Sequence, residues 1–167
     1  YTITALDGNP VAGCDFVGTL EIDASCPKFY STGNIIYNKK LTALVAVPAN
    51  YDSTSLTILS TVTEIGPEAL FECENIDTIT LPDSLKTINR SAFSGCSSIV
   101  NLSIPAAVAE ISETAFKGCS ALTRVTFSGN APTAAADIYE GADNVTTYAK
   151  SSSVGWPTGT WCDRPLV

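Results

Sequence analysis

The sequence predicts a solenoid, a stack of similar coils that is mainly β with short helices, and three observations predict it. The first is a 23-residue period, kept by Cys73, Cys96 and Cys119, by Ile65, Ile88 and Ile111, and by Ala69, Ala92 and Ala115. The second is that two apolar files run through four units. Leu56, Ile79, Leu102 and Val125 form one, and Ile58, Leu81, Ile104 and Phe127 the other. The third is alternation at the head of each unit. Ile79 and Leu81 point one way from an extended segment and Thr78 and Thr80 the other, the pattern of a half-buried strand.

Each element of a unit has its own reason. Pro82 ends the strand, because proline has no N–H for a sheet ladder. Leu85 and Ile88, with Val62 and Val108 in the matching files, mark a second short extended piece. Asn89 to Cys96 reads as one helical turn, and Gly95 supplies a sharp exit. No coil can bury its apolar row alone. Stacked coils, with strands paired in parallel about 4.8 Å apart, turn each row into a buried ladder. The period lies in the leucine-rich-repeat range of roughly 20–29 residues. The expected fold is therefore a leucine-rich-repeat solenoid of right-handed stacked strand and short-helical-turn coils with a parallel sheet.

Along the chain, one domain covers 1–167: degenerate N-terminal coils with a β-hairpin unit over 1–50, regular repeats over 51–127, and a capping segment over 128–167. In the first part, Asp7-Gly8-Asn9-Pro10 is a turn signal, and Gly13-Cys14 precedes Val17, Leu20 and Ile22 as Gly95-Cys96 precedes Ile99, Leu102 and Ile104. Cys14 is thus expected in the cysteine file, and Val17 to Ile22 as a strand. Ile35–Tyr37 and Leu41–Val47 read as strands joined by a turn at Asn38-Lys39-Lys40, an insertion that should project from the stack or thicken it. After Phe127, Ile138-Tyr139 suggests a shortened helical turn and Val145 to Tyr148 a last strand. Trp156 and Trp161 are expected to cover the open end, which would otherwise expose amides and apolar side chains.

The segments Ala92-Phe93-Ser94-Gly95-Cys96 and Ala115-Phe116-Lys117-Gly118-Cys119, set in the wider Ile-x-Leu-Pro-x-x-Leu-x-x-Ile frame between Asn75 and Cys119, resemble the BspA-like leucine-rich repeats of bacterial surface proteins. The first unit departs, with Leu70 and Glu72 where later units have Phe and Gly. Asp23 to Tyr30 followed by Gly33 to Asn38 resembles the hairpin-bearing unit of that family, and Trp161 to Pro165 its closing segment. The resemblance implies a secreted or cell-surface bacterial protein. It also implies non-catalytic binding or adhesion to an extracellular protein, a host matrix component or a cell-surface partner.

Composition narrows the alternatives. A net charge of −8 argues against nucleic acid, which needs clustered Lys and Arg, and against an anionic membrane. No apolar run approaches the ~20 residues of a membrane span. A chain that begins at Tyr1 and lacks methionine is expected to be a processed or truncated product. With no histidine, Ser–His and Cys–His nucleophile pairs and histidine metal sites are out of reach. No cofactor is expected. Glu64, Glu68, Glu72, Glu74, Asp77 and Asp83 read as a solvated face. The separations that glycoside hydrolysis requires would arise among them only by chance. Asp7, Asp23 and Asp143 lack the twelve-residue loop of a calcium site. The triplets at Asn89, Asn101 and Asn144 match a glycosylation pattern by accident.

Cys73, Cys96 and Cys119 lie beside apolar neighbours and read as buried, reduced thiols. Cys26 and Cys162 should sit near opposite ends of the stack, too far apart for a disulfide, which needs Cα atoms within about 7 Å. The remaining candidate is the outward strand face. Thr57, Thr80, Ser103 and Thr126 form one outer column, and Ser55, Thr78, Asn101 and Arg124 its neighbour. Solenoids use such a surface for partners, although Thr also simply suits an exposed strand. Large aromatic residues, common at tight protein contacts, are missing from the eight. A structural spacer within a larger surface protein is the alternative reading, and a glycan-active enzyme a remote third.

Overall fold

Two ladders of strands run the length of the stack, and the computed structural model describes them over residues 8–14 and 20–167. Of the strand expected from Val17 to Ile22, residues 17–19 lie outside the described residues, and Leu20 to Ile22 form no strand. The first ladder carries the heads of the units: β4 (Ser55–Thr57), β6 (Thr78–Thr80), β8 (Asn101–Ile104), β10 (Arg124–Phe127) and β12 (Thr146–Ala149). The second carries the short strands: β5 (Glu64–Ile65), β7 (Thr87–Ile88), β9 (Glu110–Ile111) and β11 (Thr133–Ala134), all parallel. Both continue beyond Phe127.

The register is the one the period demands. Leu56 faces Ile79, and Leu102 faces Val125. The ladder is not continuous, however. It divides into β4-β6 and β8-β10-β12, with no pairing between β6 and β8. Ile79, at that joint, stays half-buried, while Leu56, Leu102 and Val125 are buried. The expectation that every strand pairs with the next fails at this joint, where β6 and β8 lie side by side without a shared ladder.

The helical turns are the main correction: among the described residues there is no helix. Where one was expected, alternate backbone N–H groups go to different partners. Ala69, Phe71 and Cys73 donate three residues back, to Gly66, Glu68 and Leu70. Glu68, Leu70 and Glu72 donate instead to Arg90, Ala92 and Ser94 of the next coil. The next unit repeats this, with Ser91, Phe93 and Gly95 donating to Glu113, Ala115 and Lys117, and the pattern goes on to Ile138 and Glu140. A helix would direct all its N–H groups along its own axis. Here half of them tie the coils together, so the turns form a third ladder. The geometry requires a left-handed residue at Gly95 (φ +77°), Gly118 (φ +68°) and Gly141 (φ +71°), where glycine fits without strain. Glu72 takes the same conformation in the first unit (φ +56°), where a side chain carries a cost of roughly 1–2 kcal/mol.

At the N-terminal end, β1 (Phe29–Thr32), β2 (Ile35–Asn38) and β3 (Ala43–Ala46) form an antiparallel meander. β3 then pairs in parallel with β5. The insertion neither projects nor thickens the stack; it lengthens the second ladder at its N-terminal end. Gly33 and Asn34 both have positive φ, the two-residue turn that suits the twist of a hairpin. Asn9 donates to the carbonyls of Val47 and Ala69, closing the underside of the first turn. Cys14 lies outside the cysteine file, because it is exposed.

The C-terminal end is sealed by aromatic rings and a short hairpin of β13 (Thr160–Trp161) and β14 (Arg164–Pro165). Trp156 and Trp161 meet Phe127 edge-on at 4.9 and 5.1 Å between ring centres, and Trp161 also meets Tyr139. Both tryptophans therefore cover the last coil. Leu166 then adds alongside Thr147, so the chain ends by continuing the first ladder.

Candidate binding face

The core is a set of files, and the most regular holds Phe93, Phe116 and Tyr139, whose rings stack 5.5 and 5.6 Å apart. Next to it run Cys73, Cys96 and Cys119, all free and buried. They do more than fill space. Cys96 Sγ donates to the Leu70 carbonyl and Cys119 Sγ to that of Phe93, each at 3.1 Å across to the preceding coil. Those carbonyls also accept from the N–H groups of Cys73 and Cys96. Where the file ends in Ala142, Arg164 takes over, donating to the Tyr139 and Ala142 carbonyls and pairing with Asp143 at 2.8 Å. Burial pushes the Cys73 and Cys119 thiols up to about 12 and Cys96 well above its ordinary value. None of the three is poised as a nucleophile. The buried hydroxyls of Tyr139 and Thr147 lie side by side without meeting hydrogen-bond geometry. Burial raises the Tyr139 phenol, and Thr147 offsets part of that.

The carboxylates grouped by sequence do not converge on one centre. Glu68 pairs with Arg90 at 3.0 Å, and Glu64 accepts from Asn89. Asp23 accepts from Ser25, and Asp143 holds Arg164. Asp7 lies outside the described residues. Among the described residues no group of three His, Cys, Asp or Glu side chains could hold a metal ion.

The outer strand face is assembled as the alternation implies. Ser55, Thr57, Thr78, Thr80, Asn101, Ser103 and Arg124 are exposed, and Thr126 is half-buried. Ladder register puts Thr57 opposite Thr80, Ser103 opposite Thr126, and Asn101 opposite Arg124. Thr80 and Ser103 flank the unpaired joint, so the eight residues form two registered groups on one side of the stack.

The structure adds two residues to the face. β12 sets Thr146 opposite Arg124 and Tyr148 opposite Thr126, both on the outer side because Thr147 points into the core. The Arg124 guanidinium lies over the Tyr148 ring, 3.8 Å from its centre. An aromatic residue therefore does belong to the face, contrary to expectation. Its position slipped from view because the period shortens to 22 residues between Thr126 and Tyr148. Beside the pair, a shallow groove of about 370 Å³ is lined by Thr126, Phe127, Ser128, Tyr148, Ala149 and Lys150.

Comparison with known proteins places this architecture. Residues 49–155 match the BspA type leucine rich repeat region (6 copies). The fold is similar to that of a leucine-rich repeat protein from Eubacterium ventriosum, at 23% identity over 85% of this chain and 38% of that one, with a TM-score of 0.75. A leucine rich cell surface protein from Faecalibacterium prausnitzii gives 20% identity, 87% and 45% coverage, and a TM-score of 0.66. The pneumococcal vaccine antigen PcpA gives 16% identity, 80% and 45% coverage, and a TM-score of 0.57. The chain spans under half the length of each of these three. Curated proteins give no match.

Proposed function

The chain belongs to the BspA-type leucine-rich repeat family, and from that premise we propose that it is a non-catalytic protein-binding and adhesion module of a bacterial cell-surface or secreted protein. The observation that carries this reading is the outer face of the first ladder. Hydroxyl and amide side chains stand there in register on a rigid backbone whose own hydrogen bonds run between coils. A partner meeting such a surface loses little to ordering it. Two proteins of similar fold are described as a cell surface protein and a vaccine antigen, which supports an outward location.

The test is capture of extracellular host proteins by this chain and by a variant in which Thr57, Thr80, Ser103 and Thr126 are changed to Glu. Capture by the native face alone is the expected result. Equal capture by both, or by neither, would count against the reading. A spacer role is favoured by one observation, the small share of its structural neighbours that the chain spans. Micromolar or tighter binding by the isolated chain would rule that role out.

A further inference from the structure

The face is uniform except at one end. Its outward strand positions from Ser55 to Tyr148 are hydroxyl or amide side chains, with Arg124 the only charge among them. The chain as a whole carries −8, so a lone cation among the outward positions of these strands is conspicuous. The three arginines are also used differently. Arg90 is paired with Glu68, and Arg164 with Asp143 and three carbonyls. Arg124 has no carboxylate partner among the described residues, and it is held by a ring instead.

We propose that Arg124, Tyr148 and Lys150 form a docking site for an acidic peptide segment of a protein partner, at the C-terminal end of the strand face. The proposal rests on the reading of that face as a binding surface and names the chemistry it selects.

Stacking on Tyr148 fixes the plane of the guanidinium and leaves its N–H edges free for a carboxylate, the geometry in which arginine binds such groups through two parallel hydrogen bonds. The orientation is set before the partner arrives, so less freedom is lost on contact. Thr126 and Ser128 line the groove with hydroxyls for a peptide backbone, and Lys150 supplies a second positive charge along it. The Tyr148 face turned toward Arg124 is already covered. Charge, rather than the stacking of a sugar ring, is therefore the recognition chemistry.

The probe is a short synthetic peptide of alternating glutamate and serine, compared with its glutamine counterpart and with hyaluronan, a carboxylate-bearing polysaccharide. Calorimetric titration at low salt is expected to show binding of the glutamate peptide alone, weakening as salt screens the charges. Arg124→Gln should weaken it about tenfold, the loss of one charge-assisted contact. Arg124→Lys, which keeps the charge without the planar fork, should fall between. Lys28→Gln removes the same charge from the N-terminal hairpin and should change nothing. Thermal melts of each variant establish that it is folded, and Lys150→Gln gives a second, milder probe of the same groove. Equal binding of the glutamate and glutamine peptides would overturn the proposal, and so would an unchanged affinity in folded Arg124→Gln. Preference for hyaluronan over the peptide would overturn it as well. Any of these could occur while the Glu-substituted face still abolished protein capture, so failure here is distinguishable from failure of the wider reading.

Discussion

The turn side of the stack and the strand side are built from the same repeat, yet they treat their polar groups in opposite ways. On the turn side nearly every donor is used internally. Alternate N–H groups cross to the next coil, and the thiols of Cys96 and Cys119 cross back to the previous one. On the strand side the backbone pairs with itself, and of the outer side chains Thr78 bonds only to its neighbour Asp77. Thr57, Thr80 and Ser103 stand exposed, and Arg124 leans on a ring rather than on a carboxylate. The difference teaches where the repeat can vary without loss. Turn residues are fixed by the stacking of coils, whereas outer strand residues are limited mainly by the need for an exposed strand position.

The sharpest way to break this contrast is to place a charge on each side. Ile88 is fully buried at the middle of the second ladder. Ile88→Asp would bury an unpaired carboxylate and should cost several kcal/mol, seen as a fall of many degrees in the thermal midpoint. Equal midpoints for Ile88→Asp and a charge on the outer face would mean that the two sides had been misassigned.

A second effect is set by pH. The ordinary thiol value is 9.0, and burial pushes Cys73 and Cys119 to about 12. Between these values the unfolded chain releases thiol protons that the folded chain retains. Stability is therefore independent of these groups below about pH 9 and falls as pH rises above it, by roughly 1.4 kcal/mol per pH unit for each thiol. Urea midpoints taken from neutral to strongly alkaline pH should show a plateau and then a decline. Cys119→Ala should make the decline shallower, and an unaltered slope would place Cys119 in a solvated setting.

The smallest effect belongs to the face itself. Thr80→Asp, at an exposed strand position, should shift stability by no more than about 0.5 kcal/mol. A loss comparable to that of Ile88→Asp would show that the outer column is part of the packing.

Much of this was legible in the sequence because stacking writes the same requirement at every turn. The files through Leu56, Ile65, Cys73 and their successors could be read as inward from repetition alone, and Thr57 and Thr80 as outward from alternation. The turn geometry was not legible. Ser91-Ala92-Phe93 suits a helix as well as it suits the observed ladder, and the choice is made by the neighbouring coil, which accepts the alternate N–H groups. Strand β1 went unread although Gly33-Asn34 is a two-residue hairpin signal between apolar runs. The closing coil was harder. A register 22 residues long moves Tyr148 out of the expected column and onto the face beside Arg124. Cys14 shows the reverse error: a local Gly-Cys likeness suggested a buried file, and the side chain is exposed.

The central claim, that one side of the stack is closed and the other open, is tested most directly by thiol labelling of the folded protein. Mass analysis after brief alkylation at neutral pH, without reductant, should find Cys14 and Cys26 modified. Cys73, Cys96 and Cys119 should remain untouched until denaturant is added. Labelling of those three in the native state as fast as Cys14 would contradict the account.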